Sequence, residues 1–218
     1  MSDFIRFAVG SRVIELHTEP MRELKSGRMS PYFFNAGKFS KASALGLLAH
    51  GYAEALIASR LGFDVIFGPA YKGIPLAVAT ALALNREISY RDVEWAADRK
   101  ETKTHGEGGD MIGADLQGKR VVIIDDVITQ GDAKRHAIEF VTARGGHPVA
   151  VAIAFDRQER GLDSPLSAAQ LITAKFDLPV IAAATTAQLV RFLDKIGGYE
   201  AEVAAIRRYH DEYGAVLL

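Results

Sequence analysis

The sequence predicts an α/β protein built on a mainly parallel sheet with helices on both faces, and three observations carry that prediction. Short apolar runs rich in β-branched residues alternate with longer segments of helical spacing along most of the chain. Several runs end in a polar, glycine-containing turn that opens onto the next helix. One of them, Val121-Val122-Ile123-Ile124, closes on two adjacent carboxylates, Asp125 and Asp126. A strand with no polar alternation is buried on both faces, as parallel strands are, and ligands of such sheets bind beyond the strand C-termini.

The elements follow in order. Residues 4–17 carry apolar positions at Phe4, Ile5, Ala8, Val9, Val13 and Ile14, which predicts an opening helix. Residues 24–35 place Lys25 ahead of Tyr32-Phe33-Phe34, reading as a hairpin whose aromatics enter a core or edge a planar ligand. A long Ala/Leu helix is expected over 40–60, then a strand over 63–67, the turn Gly68-Pro69-Ala70-Tyr71-Lys72-Gly73 and a helix over 74–84. Short strands are expected at 88–91 and 93–96. The segment from Asp98 onward is polar, glycine-rich toward its end and dense in cations (Arg99, Lys100, Lys103, His105), which predicts a mobile loop with glycine hinges. Strand 120–124, helix 132–143, strand 149–155, helix 164–173, strand 180–182 and helices 186–195 and 200–213 complete the chain.

The whole-chain numbers narrow the class. A length of 218 residues suits one elaborated domain. Lys and Arg number 26 against 27 Asp and Glu, so there is no global attraction to nucleic acid or to an anionic membrane. Apolar stretches fall short of the roughly 20 residues of a membrane span, and the start shows no secretory pattern. With no cysteine, disulfides, thiolate nucleophiles and cysteine metal sites are excluded, and a cytoplasmic setting is expected. The six histidines lie far apart, so no direct protein metal site is expected; magnesium carried in with substrate phosphates needs few protein ligands.

The chemistry gathers at the predicted strand ends. After Asp125-Asp126 the loop Val127-Ile128-Thr129-Gln130-Gly131 leads to a helix at Asp132-Ala133, whose free amides and dipole suit a phosphate while the carboxylates accept from sugar hydroxyls. The same stretch would serve equally as an ordinary βα turn with Asp132 as a helix cap. Glycines and Lys72 in the 68–73 turn suit an anion, although an isolated turn of this kind is structural as often. The loop cations would close over a polyanion, or only confer solubility. Arg157, after another strand, offers a fork for a carboxylate, or a plain salt bridge.

Together these motifs closely resemble the orotate phosphoribosyltransferases, type I phosphoribosyltransferases of pyrimidine synthesis. The resemblance rests on Lys25-Ser-Gly-Arg with Ser30-Pro-Tyr-Phe-Phe-Asn, Phe67-Gly-Pro-Ala-Tyr-Lys-Gly, Arg99-Lys with His105-Gly-Glu-Gly-Gly, the 121–133 run, and Asp156-Arg-Gln-Glu-Arg-Gly. It implies the type I phosphoribosyltransferase fold, with a small hood from about residues 1–40 plus parts of the C-terminal segment, a core over about 41–185 and a mobile catalytic loop over about 98–113. It implies transfer from phosphoribosyl diphosphate (PRPP) to orotate, giving orotidine 5'-phosphate and pyrophosphate, with magnesium. By it, Asp125 and Asp126 hold the ribose, residues Val127, Ile128, Thr129, Gln130, Gly131, Asp132 and Ala133 the 5'-phosphate, and Lys25, Tyr71 and Lys72 the rest of PRPP. Arg99, Lys100, Lys103 and His105 complete a site shared across a homodimer, and Phe33, Phe34, Thr129 and Arg157 form the orotate pocket. Two readings compete, a salvage phosphoribosyltransferase for another base and a non-catalytic PRPP sensor.

The chain departs from the family in one place. A small residue and a threonine are usual where it has Gln130 and Asp132, and an apolar residue where it has Lys134. Asp132 facing inward would repel a phosphate, so it is expected to point outward or cap the helix, with Lys134 partly compensating.

Overall fold

The computed structural model describes residues 3–87, 92–103, 109–128 and 132–216, and the side chains of Glu87, Thr102, Lys103, Asp132 and Ala133 lie outside that description. The expected strand at 88–91, His105, and Thr129 to Gly131 also fall outside it. In chain order the elements are α1 (Asp3–Gly10), β1 (Ile14–Leu16), β2 (Arg22–Glu23), β3 (Met29–Ser30), β4 (Tyr32–Phe34) and α2 (Ala42–Ala58). Then come β5 (Val65–Phe67), α3 (Gly73–Glu87), β6 (Glu94–Lys103), β7 (Gly109–Gly113), β8 (Arg120–Asp125), α4 (Asp132–Ala143) and β9 (His147–Asp156). The last are α5 (Ala168–Phe176), β10 (Val180–Thr185), α6 (Thr186–Ile196) and α7 (Glu200–Tyr213).

The predicted architecture is present. Six strands form the central sheet in the order β10-β9-β8-β5-β6-β7, parallel except for β6 with β7. Side chains alternate across it. Val122 and Ile124 of β8 join the cluster that holds Leu48, Tyr52, Leu76 and Leu84 of α2 and α3, while Val121 and Ile123 meet Ala137 and Val141 of α4. Helices therefore cover both faces, as an apolar parallel sheet requires. From β8 the chain winds outward through β9 to β10, and from β5 it winds the other way to β6. The winding reverses between β5 and β8, where the strand C-termini leave a crevice. The N-terminal Phe4, Ile14, Tyr32 and Phe34 and the C-terminal Phe192, Ile206 and Tyr209 share the α2 and α3 cluster, so the two ends of the chain pack together. Among the described residues no helix is long and apolar enough to cross a membrane.

Several boundaries differ from the sequence reading, and three of them bear on the site. The expected helix over 4–17 stops at Gly10; Arg12 takes a φ of 56° and Ile14–Leu16 pairs antiparallel with β4. Val13 and Ile14 are buried in either geometry, so helical spacing did not separate them from a strand, and the pairing with β4 decided. The expected loop over 98–113 is partly strand. Ala96, Ala97, Asp98 and Lys103 pair with Gly113, Ile112, Met111 and Gly109, because an antiparallel ladder is closed by main-chain bonds and needs no apolar run. The helix expected from 164 begins after Ser167, which caps it in a reciprocal box with Gln170.

Candidate active site

Two turns meet at the switch in the sheet. The one after β5 needs its glycines. A Cβ on Gly68 would collide with the carbonyl of Gly73, so the chain folds back on itself only without one. Asp98 on β6, 8% exposed, accepts the Ala70 amide at 2.5 Å and ties this turn to the neighbouring strand. Tyr71 and Lys72 project from the turn into solvent. Tyr71, Ile74, Arg99 and Lys100 border an open cleft of about 390 Å³.

The second turn follows β8. Asp125 Oδ1 accepts the Asp126 amide at 2.8 Å, Asp126 Oδ1 accepts the Val127 amide at 2.8 Å, and the Tyr52 hydroxyl of α2 donates to the Asp125 carbonyl at 2.7 Å. These bonds fix where the carboxylates point. Each also has a lysine. Lys72 donates to Asp126 Oδ2 at 3.3 Å, and the buried Lys134 of α4 bonds Asp125 Oδ2. Burial drives the Asp125 carboxyl above its usual range against the pull of Lys134, and the charge of Asp126 adds to the rise. Burial, then the charges of Asp125 and Asp126, likewise push the Tyr52 hydroxyl up. Val127 and Ile128 pack their side chains against core clusters on the sheet, leaving only their main chain for a ligand.

At the third strand end, β9, a polar cluster surrounds Arg157. Its guanidinium donates to Glu159 Oε1 at 2.7 Å, to Ser30 Oγ at 2.9 Å and to the Tyr32 carbonyl at 3.3 Å, and lies over the Tyr32 ring. Glu159 also accepts from the hydroxyls of Tyr32 and Tyr209, each at 3.1 Å. Burial, with the Glu159 charge, pushes the Tyr209 hydroxyl up to about 12. Asp156 beside them is raised by burial against the hydrogen bond from the Gln158 amide.

Several sequence-predicted residues therefore come together: Tyr71 with Arg99 and Lys100, Lys72 with Asp126, Asp125 with the start of α4, and Arg157 with the hairpin end. Lys25 is exposed at the β2–β3 turn, whose next cation, Arg28, donates to the carbonyls of Arg160 and Gly161 and so ties the hairpin to the end of β9. One expectation needs correction. Phe34 does not offer a ring face: it is 7% exposed and stacks on Phe155 at 5.5 Å, because β4 turns alternate residues into the core. Phe33 is half-buried with Arg22 over its ring at 3.7 Å. Lys134, expected to compensate part of the Asp132 charge, pairs with Asp125, and the Asp132 side chain lies outside the described residues. Sequence reasoning missed Tyr52, Asp98, Ser30 and Glu159. A carboxylate among the alanines of a strand marked Asp98, and Glu159 stood beside Arg157 in the same motif.

Residues 38–187 match the phosphoribosyl transferase domain family. The chain is 48% identical over 221 residues to the orotate phosphoribosyltransferase of Bordetella petrii, covering 99% of this chain and 96% of that protein. It is 48% identical over 213 residues to that of Halorhodospira halophila, covering 98% and 97%. The crystal structure of orotate phosphoribosyltransferase from Francisella tularensis matches with a TM-score of 0.86 at 36% identity, over 97% of this chain and 99% of that one.

Proposed function

The chain belongs to the orotate phosphoribosyltransferase family, and from that premise we propose how its own residues share out the reaction. The enzyme transfers the phosphoribosyl group of PRPP to orotate, giving orotidine 5'-phosphate and pyrophosphate, in cytoplasmic pyrimidine synthesis. The observation that carries the site assignment is the meeting of the two turns at the switch point, where Lys72 of one reaches Asp126 of the other.

Breaking the bond from ribose C1 to pyrophosphate builds positive charge on the ribose and negative charge on the leaving group. Placed charge serves this better than a protein nucleophile. Asp125 and Asp126 accept from the ribose hydroxyls, and residues 127–133 offer main-chain amides at the start of α4 to the 5'-phosphate. Lys25, Tyr71, Lys72, Arg99 and Lys100 surround the pyrophosphate, joined by Lys103 and His105 from a neighbouring subunit in a homodimer. Magnesium would be carried in with PRPP, needing few protein ligands. So carried, the ion would supply charge that stabilises the leaving pyrophosphate.

Orotate sits between Phe33, the main chain of Phe34, Thr129 and Arg157. The hydrogen bonds from Asn35 to Val13 and from His17 to Pro31 set the β1–β4 register, which leaves the amide and carbonyl of Phe34 on the open edge. That is the edge where Arg157 already meets the Tyr32 carbonyl. The free donor of this guanidinium faces the substrate carboxylate.

Incubation with PRPP, magnesium and a panel of bases, following orotate absorbance and pyrophosphate release, tests the reading. Absence of magnesium-dependent orotate loss sinks it, and turnover of a purine instead supports a salvage enzyme. For the shared site, Lys103→Ala and Asp125→Asn proteins, each strongly impaired alone, should regain activity on mixing; no recovery after proven subunit exchange would place each site within one chain.

A further inference from the structure

We propose that Lys134 is a positioning residue for phosphoribosyl transfer: from the first turn of α4, its buried ammonium fixes the Asp125 carboxylate in place at the end of β8. The inference rests on the reading of Asp125 as a ribose contact. Lys134 is 3% exposed, a burial that lysine almost never reaches unless it is paired, and its partner is Asp125 Oδ2. Asp125 is held at three atoms. Its Oδ1 takes the Asp126 amide at 2.8 Å, its Oδ2 the lysine, and its carbonyl the Tyr52 hydroxyl at 2.7 Å. The carboxylate cannot turn, yet each oxygen keeps a lone pair for a hydroxyl donor.

The tie spans two parts of the site. Asp125 ends β8, and Lys134 lies two residues into the helix whose N-terminus faces the 5'-phosphate. The pair therefore ties the end of β8 to the first turn of α4. It also divides the charge, since Asp126 has the exposed Lys72, 77% accessible, while Asp125 has the enclosed lysine. The groups facing Asp125 are Lys134 from α4, Asp126 next in the chain and the Tyr52 hydroxyl from α2. Without Lys134, burial and the Asp126 charge are opposed only by the Asp126 amide and favour the protonated carboxyl, which would donate a hydrogen bond where the sugar needs an acceptor.

The experiment compares Lys134→Met, Lys134→Gln, Lys134→Arg and Asp125→Asn in steady-state kinetics for both substrates over roughly pH 5 to 9. Lys134→Met and Lys134→Gln should raise the KM for PRPP about tenfold or more, leave the KM for orotate near its starting value, and move the acid limb of kcat/KM for PRPP upward by about one pH unit. Lys134→Arg should keep the limb in place. An unmoved acid limb and an unchanged PRPP KM in either folded neutral variant overturn the proposal. If Lys134→Met does not fold, the double variant Asp125→Asn/Lys134→Met should fold better than the single one; failure to do so also overturns it. An unchanged PRPP KM in Asp125→Asn instead overturns the ribose assignment beneath it.

Discussion

Replacing Glu159 by alanine tests whether the cluster at the end of β9 is built around one carboxylate. Glu159 faces Arg157 at 2.6 and 2.7 Å, the hydroxyls of Tyr32 and Tyr209 at 3.1 Å, and Arg28 at 3.7 Å. Its side chain is 10% exposed, and that of Arg157 21%. Removing one partner of a buried ion pair costs about 3–5 kcal/mol, and the partial exposure of Arg157 places this pair at the lower end. Tyr32 keeps Thr186 Oγ1 at 2.9 Å as a partner, whereas Tyr209 loses its acceptor, adding about 1 kcal/mol. The expected loss for Glu159→Ala is therefore about 4 kcal/mol, and for Glu159→Gln, which keeps an acceptor, about 1–2 kcal/mol. Urea unfolding at fixed protein concentration measures it, since any association of subunits would couple stability to concentration. A loss below about 1 kcal/mol for the alanine variant would refute the claim that Glu159 neutralises Arg157. The kinetic companion is a KM for orotate that rises far more than that for PRPP; equal rises would separate the cluster from the base pocket.

Further outcomes follow from the same geometry. Lys72→Ala should raise the KM for PRPP several-fold while unfolding within about 1 kcal/mol of the parent, because its ammonium is largely exposed; a thermal melt beside the kinetics checks both. Phe155→Ala should lose about 3–5 kcal/mol in urea, since its ring stacks on Phe34 and meets Tyr32 edge-on at 6.1 Å; a small loss would mean that the core there collapses around the gap. Glu15 gives a pH dependence. Burial alone would raise its carboxyl, but Asn35 and Lys38 hold it at about 2 against an ordinary 4.5. A folded value below the unfolded one gives stability that is full above about pH 4.5 and lost as pH falls toward 2. The stability gap between parent and Glu15→Gln should close over that window, and a gap independent of pH would contradict the assignment.

The sequence by itself determined the elements whose pattern is local. The run 121–124 ends at two carboxylates and passes to a helix at Asp132, and α7 spans the predicted 200–213, because caps, turns and apolar period are written in neighbouring residues. It also placed polar turns at the ends of apolar runs, since the 68–73 turn, the Asp125–Asp126 pair and Arg157 each follow one. Tertiary structure decided the partners. Ile14–Leu16 became strand because β4 lies beside it, and β6 and β7 emerged from a polar stretch because their main chains pair. Phe34 went to Phe155, Arg157 to Glu159 and Lys134 to Asp125, contacts separated by 121, 2 and 9 residues. Periodicity tells which face of an element is buried, but a charge or a ring is neutralised or covered by whatever the fold brings against it. That is why the edge of the site was legible in the sequence, while the state of each side chain on it was not.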